Sequence, residues 1–390
     1  MPEAEIKHGA AGGNARLRMN DAETLLANIL SLGTPEVWQN SVQVIDGSLR
    51  SWLEKHRKAK INRIYLVGCG TSLYAGQVGK YVLERLTHVP VEVRQAFSLV
   101  EFPEPTLLTT DVLVVGISTT GSSAATCTAL DLARRCGALT LAFTAVADSE
   151  ITRIAEASIL TGGRVSVAVQ TETYLQSLIC LYLLGIHLAE HLHQLIADGR
   201  KYWLGQVQRS EVVTRSFLDQ HQSSIIDLAA QYASAEMVVI LGTGPNYGTA
   251  GEASLKVIEM AKMYSASQEM EEFFHGYDRE LNPSTPVVFL APAEGRTAQR
   301  MFDYLTFTKS AGIPSIVLES GEHPVFQKTA DRTILLRGEI DPLATPLVFI
   351  APCYLFSYFL SVKRSLDPSA RRFPEEMALK THYRPVPSRR

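Results

Sequence analysis

Short apolar runs alternate with longer stretches of helical period along most of this chain. Residues 63–67 read as a strand, 68–72 as a turn and 73–87 as a helix. Strands at 91–95 and 111–117 follow, the second entering a Ser/Thr-rich turn at 118–123 and a helix through Arg135. Shorter strands at 138–144 and 157–161 precede a long helix from about Gln170 to His193. The order then recurs, with strands at 238–241, 286–290, 315–318 and 332–336 and helices at 297–311 and 350–363. Gly242-Thr243-Gly244-Pro245 echoes Gly68-Cys69-Gly70-Thr71, an offset of 174 from Gly68 to Gly242. Strands alternating with helices of this size predict an α/β fold, with a mostly parallel sheet covered on both faces. The recurrence predicts a tandem duplication, two three-layer αβα domains in series.

The chain divides accordingly. Residues 1–19 read as a flexible tail, 20–195 as N-terminal helices plus the first domain, and 196–232 as a helical linker. Residues 233–365 form the second domain and 366–390 a C-terminal tail. A length of 390 residues suits two cores better than one. With 46% hydrophobic and 20% charged residues, the composition is that of a soluble globular protein. A net charge of −3 supplies no basic field for nucleic acid, so no nucleic-acid partner is expected. Cys69, Cys127, Cys136, Cys180 and Cys353 are scattered, which fits a reduced cytoplasmic protein. The apolar runs 178–188 and 347–362 fall short of the roughly 20 residues of a membrane span and read as buried core helices.

Chemistry concentrates in two places. Glu252, Lys256 and Glu259 share one face of a helix that follows the glycine turn, and His275-Gly276 comes sixteen residues after Glu259, counting from 259 to 275. In the first copy, Ser118, Thr119, Thr120, Gly121, Ser122 and Ser123 lie between a buried strand and a helix. Free N–H groups at a helix start favour an anion, and hydroxyls add donors to its oxygens. Ser72 can point into the same crevice if the two turns lie side by side. The plain alternative is a helix N-cap. The corresponding turn of the second copy, 291–296, has no hydroxyls, so the copies are expected to have different tasks. No GxxxxGK[ST] run is present and 68–72 departs from GxGxxG, so neither an ATP loop nor a dinucleotide site is expected. His187, His191 and His193 are not expected to bind metal, since no carboxylate ligand is placed convincingly with them.

Taken together, the 68–72 turn, the 118–123 loop, the Glu252/Lys256/Glu259 helix and the Glu272-Phe273-Phe274-His275-Gly276 segment resemble the sugar isomerase (SIS) family. The two-copy form looks like the isomerase half of glucosamine-fructose-6-phosphate aminotransferases, without the glutaminase domain. Residues 132–144 and 147–152, together with 358–364, Asp367, Pro368, Arg371 and Arg372, look more like the fructosamine-6-phosphate deglycases. The resemblance implies flavodoxin-like sheets, a phosphosugar substrate and no cofactor. By position it implies a phosphate held by Ser118, Thr120 and Ser123, with Ser72 helping and Gly70, Thr71 and Thr119 beside it. Glu259 would move a proton between C1 and C2. His275 would assist ring opening from a neighbouring subunit of a dimer or larger homo-oligomer. Lys380 would close over the sugar, with Glu252 and Lys256 in support.

The expected reaction converts a 6-phosphorylated fructosamine, through a 1,2-proton shift and imine hydrolysis, to glucose 6-phosphate and a free amine. Such a proton shuttle works best with a carboxylate whose pKa is raised toward neutrality, as desolvation in a cleft would do for Glu259. Lys256 could oppose that shift, orient the carboxylate or contact a hydroxyl. Amino-sugar-phosphate deamination and aldose–ketose isomerisation use the same shuttle, and a non-catalytic phosphosugar sensor is a further reading. Two departures bear on the substrate. The segment that carries small hydroxyls against the sugar in the aminotransferases reads Arg-Val-Ser-Val-Ala-Val-Gln-Thr-Glu over 164–172, which points to Gln170 or Thr171 for that contact. Tyr277, Asp278 and Arg279 stand where proline is common, and Asp278 with Arg279 could face an amino-acid leaving group or an intersubunit salt bridge.

Overall fold

The structure, a computed structural model, describes residues 12–165, 169–292, 295–321, 324–374, 377 and 383. Helices α1 (Gly12–Leu30) and α2 (Pro35–Lys55) come first, with Pro35 at the opening position of α2, where its missing N–H costs nothing. The first sheet domain then runs β1 (Arg63–Gly68), α3 (Thr71–Thr87), β2 (Val91–Gln95), α4 (Ala96–Glu101), β3 (Val112–Ile117), α5 (Ala124–Arg135), β4 (Leu139–Thr144), α6 (Glu150–Ile154), β5 (Ala157–Leu160) and α7 (Glu172–His191). Two helices, α8 (Ala197–Gln220) and α9 (Gln222–Gln231), lead into the second. That domain comprises β6 (Met237–Gly242), α10 (Pro245–Lys256), β7 (Tyr264–Glu269), α11 (Met270–Phe273), β8 (Val287–Ala291), α12 (Arg296–Ser310), β9 (Ser315–Ser320), α13 (Pro324–Thr329), β10 (Arg332–Leu336) and α14 (Pro346–Lys363).

Both sheets are parallel throughout. The first has the order β2-β1-β3-β4-β5 and the second β10-β9-β8-β6-β7, so β6 takes the place of β1 and β7 that of β2. Central strands such as β3 are buried at every position, which is why they read as continuous apolar runs without alternation. The duplication extends to backbone angles. Gly70 lies at φ 55°, ψ −128° and Gly244 at φ 60°, ψ −129°, a conformation open to glycine and strained for other residues.

Strand β7 escapes the hydrophobic reading. Its sequence, Tyr-Ser-Ala-Ser-Gln-Glu, is polar because the strand pairs with β6 alone and forms one edge of its sheet. The apolar runs behave differently: α7 and α14 are the last helices of their domains and are buried along almost their whole length. By length and composition α14 could cross a membrane, yet 83% of its most apolar window is buried in this fold. Helices α8 and α9 both pack on α14, so the interval between the sheets shields the core as well as connecting it.

The domains meet through α3 and α10, with α7 behind the first and α14 behind the second. One apolar cluster runs through this contact, including Val78 and Leu181 on one side and Ala250, Val257 and Phe349 on the other. The approach is close enough that a Cβ at Gly251 would overlap the Tyr74 ring.

Candidate active site

Strands β1 and β3 are adjacent, and chain progression reverses between them. Their carboxyl ends therefore form the crevice in which open α/β sheets collect ligands. The turn after β1 and the 118–123 loop after β3 do lie side by side, with Ser123 Oγ 4.0 Å from Cys69 Sγ. Main-chain bonds brace the loop: Ser118 N–H donates to Phe143 (2.9 Å) and Gly121 N–H to Ser118 (3.0 Å), while the Thr119 carbonyl accepts from Ala145 N–H (2.9 Å). Ser123 occupies the N-cap position of α5 without a side-chain cap bond. Its hydroxyl instead accepts from Thr126 at 3.0 Å, and Thr120 and Ser122 share a hydroxyl contact of 2.8 Å. The hydroxyls are thus not spent on capping. Ser72 is buried on the first turn of α3, and Gly70 is exposed beside it.

The second centre lies at the domain contact. Lys256 Nζ is 3.1 Å from Glu252 Oε1 and 2.8 Å from Glu259 Oε2, and it donates to Thr71 Oγ1 at 2.9 Å. The Glu252 and Lys256 side chains are 0% and 1% exposed, whereas that of Glu259 is 35% exposed. Tyr354 OH on α14 donates to Glu252 Oε1 at 2.8 Å. Burial pushes the Glu252 carboxyl up to about 7 against the pull of Lys256. Burial also works against the Lys256 charge, but Glu252 and Glu259 outweigh it and hold that pKa above its ordinary value. One ammonium facing two carboxylates stays charged, and the fully buried carboxylate is the one driven toward neutrality. Lys256 thus pairs with both carboxylates and with the Thr71 hydroxyl at once. Thr71, at the start of α3, accepts this bond across the contact between the two domains.

After Lys256 the helix widens into a π-turn at Val257–Ala261 and stops at Lys262, φ 52°. Such π-turns recur at functional sites. This one puts Glu259 on the wall of an open cleft of about 590 Å³, with Val169, Ile258, Met263, Tyr264, Lys262 and the chain from Ser369 to Phe373. The C-terminal chain does reach the Glu259 cleft, and further on Tyr383 packs edge-on against Phe97 of α4 (ring centroids 5.3 Å apart). Lys380 lies outside the described residues.

Gln170 and Thr171 directly follow the cleft residue Val169. The Gln170 side chain accepts from Thr173 at 3.3 Å, and the buried Thr171 hydroxyl has no hydrogen-bond partner among the described residues. His275 is exposed, donates Nδ1–H to the Glu271 carbonyl (2.9 Å) and is not part of the cleft wall. Asp278 and Arg279 lie on the turn Tyr277–Glu280, and Arg279 lines a different hollow. His187 bonds Asp46 at 2.6 Å within a network that includes Arg200 and Glu190. Among the described residues no group of three or more His, Cys, Asp or Glu side chains is placed to hold a metal.

The sequence assigns no role at the site to several members of these centres. Tyr354 was hidden inside an apolar helix, although a buried tyrosine hydroxyl usually has a partner. Cys69 and Thr126 carried no signal of their own. Arg371 and Arg372 are visible as a basic pair, but only the return of the chain to the end of the π-turn places them near Glu259.

Comparison with known proteins identifies the class. The SIS domain family matches residues 58–185 and 231–362, and the chain belongs to it. An isomerizing glutamine–fructose-6-phosphate aminotransferase of Gloeobacter violaceus is 29% identical over 323 residues, covering 82% of this chain and 52% of the relative. Its counterpart in Methanothermobacter thermautotrophicus is 32% identical over 313 residues, covering 79% and 50%. The chain thus spans about half the length of these curated relatives. The C-terminal domain of glucosamine-fructose-6-phosphate aminotransferase from Francisella tularensis shares the fold with a TM-score of 0.80 at 21% identity, over 89% of this chain and 98% of that one.

Proposed function

We propose that this SIS protein is a deglycase that cleaves a 6-phosphorylated fructosamine to glucose 6-phosphate and an amine. The observation that carries the proposal is the position of Glu259, whose carboxylate borders the open cleft while a buried lysine fixes its other side. In this reading Ser118, Thr120 and Ser123, with Ser72, bind the phosphate. Glu259 removes a proton from C1 of the open-chain ketose and returns it to C2, while O2 takes up a proton and the nitrogen gives up its N–H proton, so that the C1–N bond becomes an imine. Water adds at C1, the C–N bond breaks, and the amine leaves with a proton. Glu252 and Lys256 position Glu259, His275 assists ring opening, and Lys380 closes over the sugar. Deglycation is favoured over its neighbours because Arg371 and Arg372, in a stretch that resembles the deglycases, stand in the Glu259 cleft. The relatives' names favour chemistry on fructose 6-phosphate and amino sugars as the second reading.

A product-resolved panel tests this. Fructosyl-amino-acid 6-phosphates, glucosamine 6-phosphate and plain hexose phosphates would each be incubated with wild type and Glu259→Gln. Glucose 6-phosphate plus amino acid is expected from the first group, falling roughly 100- to 10,000-fold in the variant. Fructose 6-phosphate plus ammonia from glucosamine 6-phosphate, with fructosamines inert, would transfer the assignment to a deaminase.

A further inference from the structure

Arg371 and Arg372 face the same cleft as Glu259, and their surroundings indicate what they meet. Lys262, the cation nearest to the end of the π-turn, is already committed. Its Nζ donates to the carbonyls of Glu259 (2.6 Å), Met260 (3.2 Å) and Asp367 (3.4 Å). Those bonds fasten the C-terminal chain to the end of the π-turn. Asp367 in turn accepts from Ser369 N–H (2.8 Å) and Ser369 Oγ (2.6 Å), turning the chain toward the cleft. Arg372 spends one N–H on the Lys262 carbonyl (3.3 Å). Both arginines are exposed, and among the described residues no carboxylate pairs with either guanidinium. Glu259, the nearest acid in the wall, is engaged by Lys256 from its other side. The cleft therefore offers two guanidinium forks with unused donors, next to apolar surface from Val169, Ile258, Met263 and Phe373. A guanidinium fork suits a carboxylate through paired N–H bonds.

We infer that Arg371 and Arg372 form a leaving-group subsite that selects amines bearing a carboxylate next to the nitrogen, that is, the fructosyl derivatives of α-amino acids. The inference rests on the deglycase reading, since it takes C1 of the sugar to lie at Glu259. In such a substrate the carboxylate carbon stands on the order of 4 Å from C1, through the nitrogen and one further carbon. A carboxylate there falls within the cleft while C1 remains at Glu259, and the amino-acid side chain lies along the apolar wall. The same forks could attract the sugar phosphate, so the test must separate the two anions.

The test measures binding by calorimetry on Glu259→Gln protein, which holds ligand without turnover. The ligands are fructosyl-glycine 6-phosphate, its carboxamide and fructose 6-phosphate, each also measured after adding Arg371→Ala and Arg372→Ala. The carboxylate ligand should bind roughly 10- to 100-fold more tightly than the carboxamide. The arginine changes should remove that ratio while leaving fructose 6-phosphate affinity within about twofold. Arg371→Lys should restore part of the ratio. Equal binding of carboxylate and carboxamide would overturn the subsite even if both are cleaved. Equal loss for all three ligands would assign the arginines to the phosphate and overturn it as well. Failure of deglycation itself would show separately, as no glucose 6-phosphate formed by wild type from either fructosamine.

Discussion

At the centre of the site one ammonium serves two carboxylates, and burial raises the pKa of the sealed one, Glu252. Glu252 titrates at about 7 in the folded chain against an ordinary value of 4.5. The folded state therefore holds more protons than the unfolded chain between those values. The stability contributed by this group is complete below about pH 4.5 and is lost as pH rises through 7, with a span on the order of 3 kcal/mol. Lys256→Met should deepen that loss, because it leaves Glu252 buried without a cation. We expect a cost of about 3–5 kcal/mol at pH 8 and clearly less at pH 5.5, where Glu252 is neutral. Urea unfolding at the two pH values checks this, and an equal loss at both would mean the cost is packing rather than charge. Sequence spacing was enough to put Glu252, Lys256 and Glu259 together. It could not show that Glu252 is sealed and Glu259 open, because the seal comes from Thr71 and Tyr354, which lie 181 and 102 residues away.

The element that makes this arrangement possible is the crossing of α3 and α10. By helix propensity alone, Gly251→Ala would stabilise α10 by about 1 kcal/mol. Its methyl group would overlap the Tyr74 ring, however, so the helices must separate. We expect a net destabilisation of about 1–3 kcal/mol. Turnover should fall too, since the Lys256–Thr71 bond spans that contact. Adding Tyr74→Ala should make the double variant lose less than the sum of the singles. A more stable Gly251→Ala protein would show that the contact has slack. Elements built on continuous apolar runs, such as β3, α7 and α14, were legible from the sequence alone. Edge strand β7 was not, because partnering on one side leaves it polar. The π-turn was also invisible, since its residues Val-Ile-Glu-Met-Ala continue a helical pattern until Lys262 turns left-handed.

For the whole molecule, the role proposed for His275 depends on how the chain presents it. An exposed strut holds it: Arg300 reaches both oxygens of Glu271 (2.8 and 3.0 Å), Tyr304 OH donates to the same carboxylate (2.6 Å), and the Glu271 carbonyl takes the Nδ1–H of His275. The Arg300 and Tyr304 hydrogen bonds pull the Glu271 carboxyl down to about 2, so the strut keeps its charge through any working pH. That bond also fixes the tautomer, leaving Nε2 of neutral His275 as the basic nitrogen. Yet the Glu259 cleft of the same chain is walled without His275. A histidine prepared in this way and presented outward fits delivery to a second copy, most simply across a two-fold axis. Inactive Glu259→Gln and His275→Asn proteins, mixed under conditions that exchange subunits, should then recover activity. Each mixed dimer would contain one site with both wild-type residues, so an equal mixture should approach about a quarter of wild-type activity, half its molecules being mixed with one working site in two. No recovery despite demonstrated exchange, or a fully active monomer by sedimentation at assay concentration, would return His275 to its own chain.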